Sequence, residues 1–365
     1  MKNSTNQTKK HLFLAIIFLF IATVGANAQA YDFKVMATNG TVMLKNTKKR
    51  VWAGTTLSAA DILEISSNSY VGLMHKGGKT MEIKQAGSYK ISDLSAKVKG
   101  SNSSTSAKYV SYVAGEMSKA DRQDINKNHR KYMAITGSVE RATYNTACAY
   151  FLHENNGKAA EVNLFNSAFT LRMYGNPVLG VAQNKTFAVR ILDFYNKVLW
   201  EGEAKGDDKG EAFLDIDFAK LNYKGDDFVF IVEVSVKDAK EQPSNRAKYN
   251  VTIVKEGEKY DNVKKALAEL NQDNEQTALS KIVEAGIYEQ EGFILDAATC
   301  YEKAIAMEPD VQTYQVAYQD FIARNRMKMI ATKGADGKKE LRPITINPEV
   351  KDTEILKEGA EEVQK

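Results

Sequence analysis

Histidine and cysteine are scarce in this chain, four and two in 365 residues, and little metal or thiol chemistry can be built from them. Beyond the first segment the histidines are His75, His129 and His153, on separate stretches without ligand spacing, so they define no metal site. No Gly-x-Ser-x-Gly elbow and no His-Glu-x-x-His pair occurs. Gly78-Lys79-Thr80 looks like the end of a phosphate loop, but Leu73 stands where the first glycine belongs, and a strand pattern rather than a helix follows. The expectation is therefore a non-enzymatic protein with no catalytic residue, no cofactor and no metal ligand set. Charge of one sign is missing too: 50 Lys and Arg face 46 Asp and Glu, which argues against a nucleic-acid partner. After Val24 no apolar run approaches the ~18 residues of a membrane span.

The chain does open on a recognisable leader. Lys2, Lys9 and Lys10 precede the apolar run Leu12 to Val24, and Ala26-Asn27-Ala28 offers a small-x-small cleavage site. That order reads as a signal peptide over 1–28, with a mature chain from Gln29 and no cysteine after the cut to carry a lipid anchor. Its three lysines account for most of the formal net charge of +4. The chain is expected to be exported, without a transmembrane segment once the leader is removed. Cys148 and Cys300 would then meet an oxidising compartment. A disulfide needs their Cα atoms within about 7 Å, and two separate buried thiols are expected.

Between 31 and 95, short runs rich in β-branched and aromatic residues (Ile62–Ile65, Tyr70–His75, Met81–Ile83) alternate with turn signals at Asn39-Gly40, Gly54 and Gly77-Gly78. They predict a compact all-β module. The blocks Gly40-Thr41-Val42, Gly54-Thr55-Thr56-Leu57, Asp61–Ile65 and Ser69–Gly77 resemble the FecR-like β domain over about residues 33–93. The resemblance implies a small exported module used for binding or assembly. In iron-responsive members a cytoplasmic signalling segment precedes the domain. With about ten residues ahead of the apolar run, that role has no place here.

Residues 96–140 are polar, Ser-rich from Ser101 to Ser106 and highly charged from Asp121 to Lys131, and read as a linker with a short helix near Tyr109–Met117. Over 141–256 the alternation Phe169, Leu171, Met173 and Phe187, Val189, Ile191 begins a series of strand signals that runs to Tyr249, Val251 and Ile253. Six or seven strands at near-regular spacing predict an immunoglobulin-like sandwich, without the Cys…Trp…Cys pattern of antibody domains and with Trp200 between the sheets. Acids gather near its turns: Asp207, Asp208, Asp215, Asp217, Asp226 and Asp227. Solvated loop acids and a calcium site are the two readings of that pattern.

From 258 the period changes to 3.6. Ala285-x2-Tyr288, then Ala297-x3-Tyr301-x2-Ala304 and Pro309, resembles one tetratricopeptide repeat over 278–311, with Lys281 in place of an early large apolar residue. A lone repeat cannot bury its own face, so flanking helices, one of them over 311–330, are expected to complete it. Residues 331–365 are charged and read as a mobile tail. The chain is thus expected to be multi-domain: a FecR-like β module, an immunoglobulin-like sandwich and a C-terminal helical segment of tetratricopeptide type. The expected role is an adaptor of a Gram-negative periplasm or envelope, with an envelope protein as partner and Tyr288, Tyr314 and Tyr318 as its contact surface. The alternative is recognition of glycan or peptidoglycan through the β domains, with Phe194, Tyr195, Trp200 and Tyr223 available for stacking.

Overall fold

The β-branched and aromatic runs near the start of the chain close on one another as eight short strands. β1 (Phe33–Asn39), β4 (Thr56–Leu57), β6 (Tyr70–His75) and β7 (Thr80–Ile83) form one sheet in the order β4-β1-β6-β7. β2 (Val42–Leu44), β3 (Lys49–Arg50), β5 (Ile62–Ile65) and β8 (Gly87–Lys90) form the other, in the order β3-β2-β5-β8. Phe33, Val35, Leu57, Leu63, Val71 and Leu73 fill the space between them, closed by Ile91 and Leu94 of α1 (Ile91–Lys97). A bulge between Val35 and Ala37 re-aims β1. Phe33 and Val35 therefore serve this small core, while Met36 and Ala37 join the large one outside it. β6 is buried along its whole length because both its faces are covered.

This computed structural model describes residues 31–98, 104–120, 132–134, 146–153, 159–179, 185–221, 229–237, 246–271, 276–333 and 337–346. The proposed leader, His129, Tyr223, Asp226, Asp227 and the last nineteen residues lie outside them. The described chain from Asp32 onward belongs to one packed unit. No helix among the described residues is long and apolar enough to cross a membrane.

Within the stretch expected to be a linker, residues 104–120 contribute to the core. α2 spans Ser104–Ala120 and buries Tyr109, Val113, Ala114 and Met117 against the outer face of the β module and the C-terminal helices. Its polar residues disguise a narrow apolar stripe at helical spacing. Close packing here depends on two glycines. A Cβ on Gly286 would collide with the Val113 side chain, and one on Gly54, itself at φ +89°, with Ser118.

Period-two alternation yields a two-sheet sandwich of immunoglobulin-like strand order. β10 (Ala147–Ala149), β12 (Ala168–Gly175) and β15 (Glu211–Asp217) form a three-stranded sheet in that order. β11 (Val162–Leu164), β17 (Ala247–Ile253), β16 (Val229–Val236), β13 (Thr186–Asp193) and β14 (Val198–Lys205) form the five-stranded one, with β11 parallel to β17. Phe169, Leu171 and Met173 pack inward with Val189, Ile191, Val232 and Val234. Trp200 lies on the edge strand β14, half-buried at the margin of this core with its ring over Gly202, rather than at its centre.

The 3.6-period region forms α3 (Glu258–Asn271), α4 (Ala278–Glu291), α5 (Ile294–Met307) and α6 (Gln312–Arg324). A capping box at Thr277 and Ser280 starts α4, and Gly292 at φ +87° ends it. Ala285, Ala297 and Ala304 are fully buried where α4 and α5 pack. Lys281 is occupied by Glu284 at 2.8 Å. The chain expected to continue as helix to Ile330 and then as a tail turns into a hairpin, β18 (Met329–Lys333) and β19 (Lys339–Ile346), with β9 (Tyr132–Ala134) paired on the far side of β19. Met329 and Leu341 on alternating positions are buried, which holds the hairpin down.

Candidate functional site

Tyr288, Tyr314 and Tyr318, expected as a contact surface, are buried rather than exposed together, and of the three Tyr318 lines the groove described below. All three are buried, and each hydroxyl has a partner from elsewhere in the chain. Asn166 Nδ2 donates to Tyr288 Oη at 3.0 Å. The Tyr314 and Tyr70 hydroxyls meet at 2.6 Å, joining α6 to β6. The Tyr318 hydroxyl donates to Glu302 at 2.5 Å. The helices face inward throughout: Glu291 of α4 accepts from the Tyr109 hydroxyl of α2 at 2.7 Å, and Glu82 of β7 accepts from the Leu279 N–H at 2.8 Å. Asp296 of α5 accepts from the N–H groups of Phe165 and Asn166 at 2.9 and 3.0 Å. Burial pushes the Asp296 carboxyl up to about 6 against those donors. The helical segment is a clamp that grips the β module, α2 and the sandwich.

That clamping leaves one large groove. Its floor is the outer face of the three-stranded sheet, where Thr170 and Arg172 of β12 lie beside Glu211, Phe213 and Asp215 of β15. One wall presents Thr299, Glu302, Lys303 and Ala306 of α5, a stripe at helical spacing, and Gln315, Tyr318, Gln319 and Ile322 of α6, a second such stripe. Lys328, Ile330 and Ile344 from the C-terminal hairpin region close one end. The cavity measures about 1110 Å³. A smaller one of about 340 Å³ adjoins it around Thr170, Asp215, Thr299 and Lys303 and reaches Trp200 and Ile216. Phe213 lies in the floor with 47% of its surface exposed.

The deep end of the groove is a charged network. Arg172 binds Glu211 through Nε at 2.8 Å and also through Nη2, lies over the Tyr150 ring at 4.6 Å and approaches Glu302 at 3.6 Å. Lys328 reaches Glu211 at 3.0 Å and the Tyr150 hydroxyl donates to it at 2.8 Å. Burial pushes Glu211 upward, but Lys328, Arg172 and the Tyr150 hydroxyl outweigh it and hold the carboxyl down at about 2. Burial together with the charges of Glu211 and Asp215 raises Glu302, against the pull of Tyr318 and Arg172. Glu211 is thus a fixed anion shared by two cations. The network sets the groove's geometry, and its members are occupied with one another. Among the described residues the groove lining contains no histidine, cysteine or serine, and its titratable groups are Asp, Glu, Lys, Arg and Tyr.

The other singled-out residues lie apart. His75 accepts from the Gly77 N–H at 3.1 Å in the β module, and His153 contacts the Arg326 carbonyl at 3.1 Å. Burial lowers both imidazoles. Cys148 and Cys300 are both buried and form no disulfide. Asp207 accepts from the N–H groups of Lys209 and Glu211 at 2.9 Å, Asp217 from that of Ala219 at 3.0 Å, and Asp215 from the Thr170 hydroxyl at 2.7 Å. These acids organise turns and strand pairs. Among the described residues no cluster of three potential metal ligands occurs. Phe194 and Tyr195 project from the β13–β14 turn, 64% and 78% exposed. The groove is not legible in any one segment, since its residues come from seven separate stretches between Tyr150 and Ile344; the paired helical stripes are the signal that points to it.

Strand order and groove together define a β-sandwich protein with a helical clamp and a large cleft at their seam. No protein family matches the chain, and no curated protein matches it. Among solved structures it is similar to the CARDB domain of a Pyrococcus furiosus protein, solved in complex with di-metal ions. That similarity has 15% identity and a TM-score of 0.18, over 26% of this chain and 86% of that one.

Proposed function

We propose that this is an exported, non-enzymatic adaptor of a bacterial cell envelope that holds a partner protein in the groove between the sandwich and helices α5 and α6. The observation that carries the reading is the groove: a large open cleft whose charged end is already neutralised internally, leaving Phe213, Gln319, Lys303 and two helical stripes to a partner. The lysine-flanked apolar leader supports export to a periplasm. The glycine and hydrophobic blocks of the N-terminal module support a FecR-like assembly unit. The alanine and tyrosine spacing of α4 and α5 supports a tetratricopeptide-type hairpin, here turned inward as scaffold. The test is chemical cross-linking in the native host with a tag after Lys365, followed by mass spectrometry, on the wild type and on Lys303→Glu and Gln319→Arg. The reading expects a stoichiometric envelope protein with the wild type, reduced at least tenfold by both groove variants. Undiminished recovery with both variants contradicts it.

The exposed pair Phe194 and Tyr195 favours a second reading, recognition of glycan or peptidoglycan. Asp193 holds their turn by accepting from the N–H groups of Tyr195 and Lys197 at 2.9 and 2.8 Å, so the rings are presented on a rigid tip. Retention on peptidoglycan that disappears in Phe194→Ala and Tyr195→Ala supports this reading, and retention unchanged by either substitution excludes the tip.

A further inference from the structure

β15 is the outermost strand of its sheet. The Phe218 N–H donates to the Ser167 carbonyl at 2.8 Å, and with the β12–β15 register this fixes which residues bond across the pair. Ala212, Leu214 and Ile216 bond to β12, and the N–H and C=O of Phe213 and Asp215 turn to the other side. Two further bonds agree. Tyr150 donates to Arg172 O at 2.9 Å on the opposite edge of β12, and Glu211, in phase with Phe213, bonds backward to Asp207 at 2.7 Å rather than across the sheet. Among the described residues no strand pairs with that edge. The two adjoining cavities lie along β15, with Phe213 lining the larger one, Ile216 and Trp200 the smaller, and Asp215 both.

A row of main-chain donors and acceptors with side-chain cavities beside it is what an added strand requires: backbone bonds for affinity, pockets for specificity. We propose that the partner enters as an extended segment of another polypeptide, adding a strand to β15 beside Phe213–Asp215. The proposal rests on the adaptor reading above and specifies how its groove is used. Register dictates the segment's chemistry. A β-branched or aromatic residue lies opposite Phe213, and a Lys or Arg two positions away lies opposite the exposed carboxylate of Asp215. A second copy of this chain fits poorly, because Glu211, Asp215 and Asp217 share one face of β15. Two-fold pairing centred on Phe213, Leu214 or Asp215 then sets carboxylate against carboxylate.

The probe is a display library of random linear dodecapeptides, panned against the full chain, with enriched sequences resynthesised. The expected winners place a basic residue two positions from a β-branched or aromatic one. N-methylation at every second residue should weaken binding about tenfold per site, and the intervening positions should tolerate it. On the protein, Asp215→Pro removes an outward N–H while leaving the β12 ladder intact, so binding should fall about tenfold with the circular dichroism spectrum unchanged. Independently of any variant, the amides of Phe213 and Asp215 should exchange fast in the free chain, unlike those of Leu214 and Ile216, and become protected by the peptide. Strand addition is overturned by no enrichment, by N-methylation without alternation, or by unprotected Phe213 and Asp215 amides in the complex; dimerisation through this edge on sedimentation overturns it in favour of a second copy. If peptides fail while Lys303→Glu still abolishes partner capture, the adaptor reading stands and only this mode of recognition falls.

Discussion

Replacing Glu211 by Gln should expose how much the groove's charged end contributes. The carboxylate is held at about 2 against an ordinary value of 4.5, a displacement that corresponds to about 3 kcal/mol of interaction in the folded state. Because the folded value lies below the unfolded one, that stability is fully present above about pH 4.5 and is lost as the pH falls toward 2. Gln cannot neutralise Arg172 and Lys328, which would leave two half-buried cations with Glu302 alone. Breaking such a network costs about 3–5 kcal/mol in other proteins. Here Glu302, freed from repulsion by Glu211, ionises more readily and takes up part of the charge, so about 2–3 kcal/mol is expected. Urea unfolding of wild type and variant at several pH values between 7 and 2.5 measures the gap directly. It should be widest at neutral pH and close toward the acid end. A gap below about 1 kcal/mol at pH 7, or one that does not change with pH, refutes the reasoning.

Two further substitutions test the clamp. Tyr314→Phe removes one partner of the buried Tyr70 hydroxyl and leaves it Glu82, so it should cost about 1 kcal/mol, and adding Tyr70→Phe should cost less than the sum of the two single changes, since the pair acts together. A double-mutant cycle from urea unfolding reads both. Gly286→Ala places a methyl against Val113 and should raise amide exchange in α2 while leaving the five-stranded sheet protected; unchanged exchange in α2 would show that the helix is not held there.

How much of this was legible in the chain depended on how local the physics is. Alternation of Phe169, Leu171 and Met173 is a property of one strand, and the sandwich follows from several such runs. The small residues at 285, 297 and 304 likewise announce a close helix pair. α2 was underestimated because its buried stripe, Tyr109, Val113 and Met117, is embedded in serine and lysine, and only the β module and helices beside it give that stripe something to bury against. The tyrosines misled for the opposite reason. A tyrosine looks like a surface residue until its hydroxyl is satisfied, and the partners that satisfy these three, Tyr70, Asn166 and Glu302, include residues far away in sequence. The groove and its open edge depend on β12, β15, α5, α6 and the last hairpin meeting, and no single segment encodes that meeting.

Site-specific photo-cross-linking in the native host tests the central claim most directly, with a photoreactive phenylalanine analogue at Phe213 and, as controls outside the groove, at Leu179 and Tyr195. The account predicts one discrete protein adduct from position 213 and none from the controls. Adducts from position 179 or 195 with none from 213 would place recognition elsewhere and contradict it.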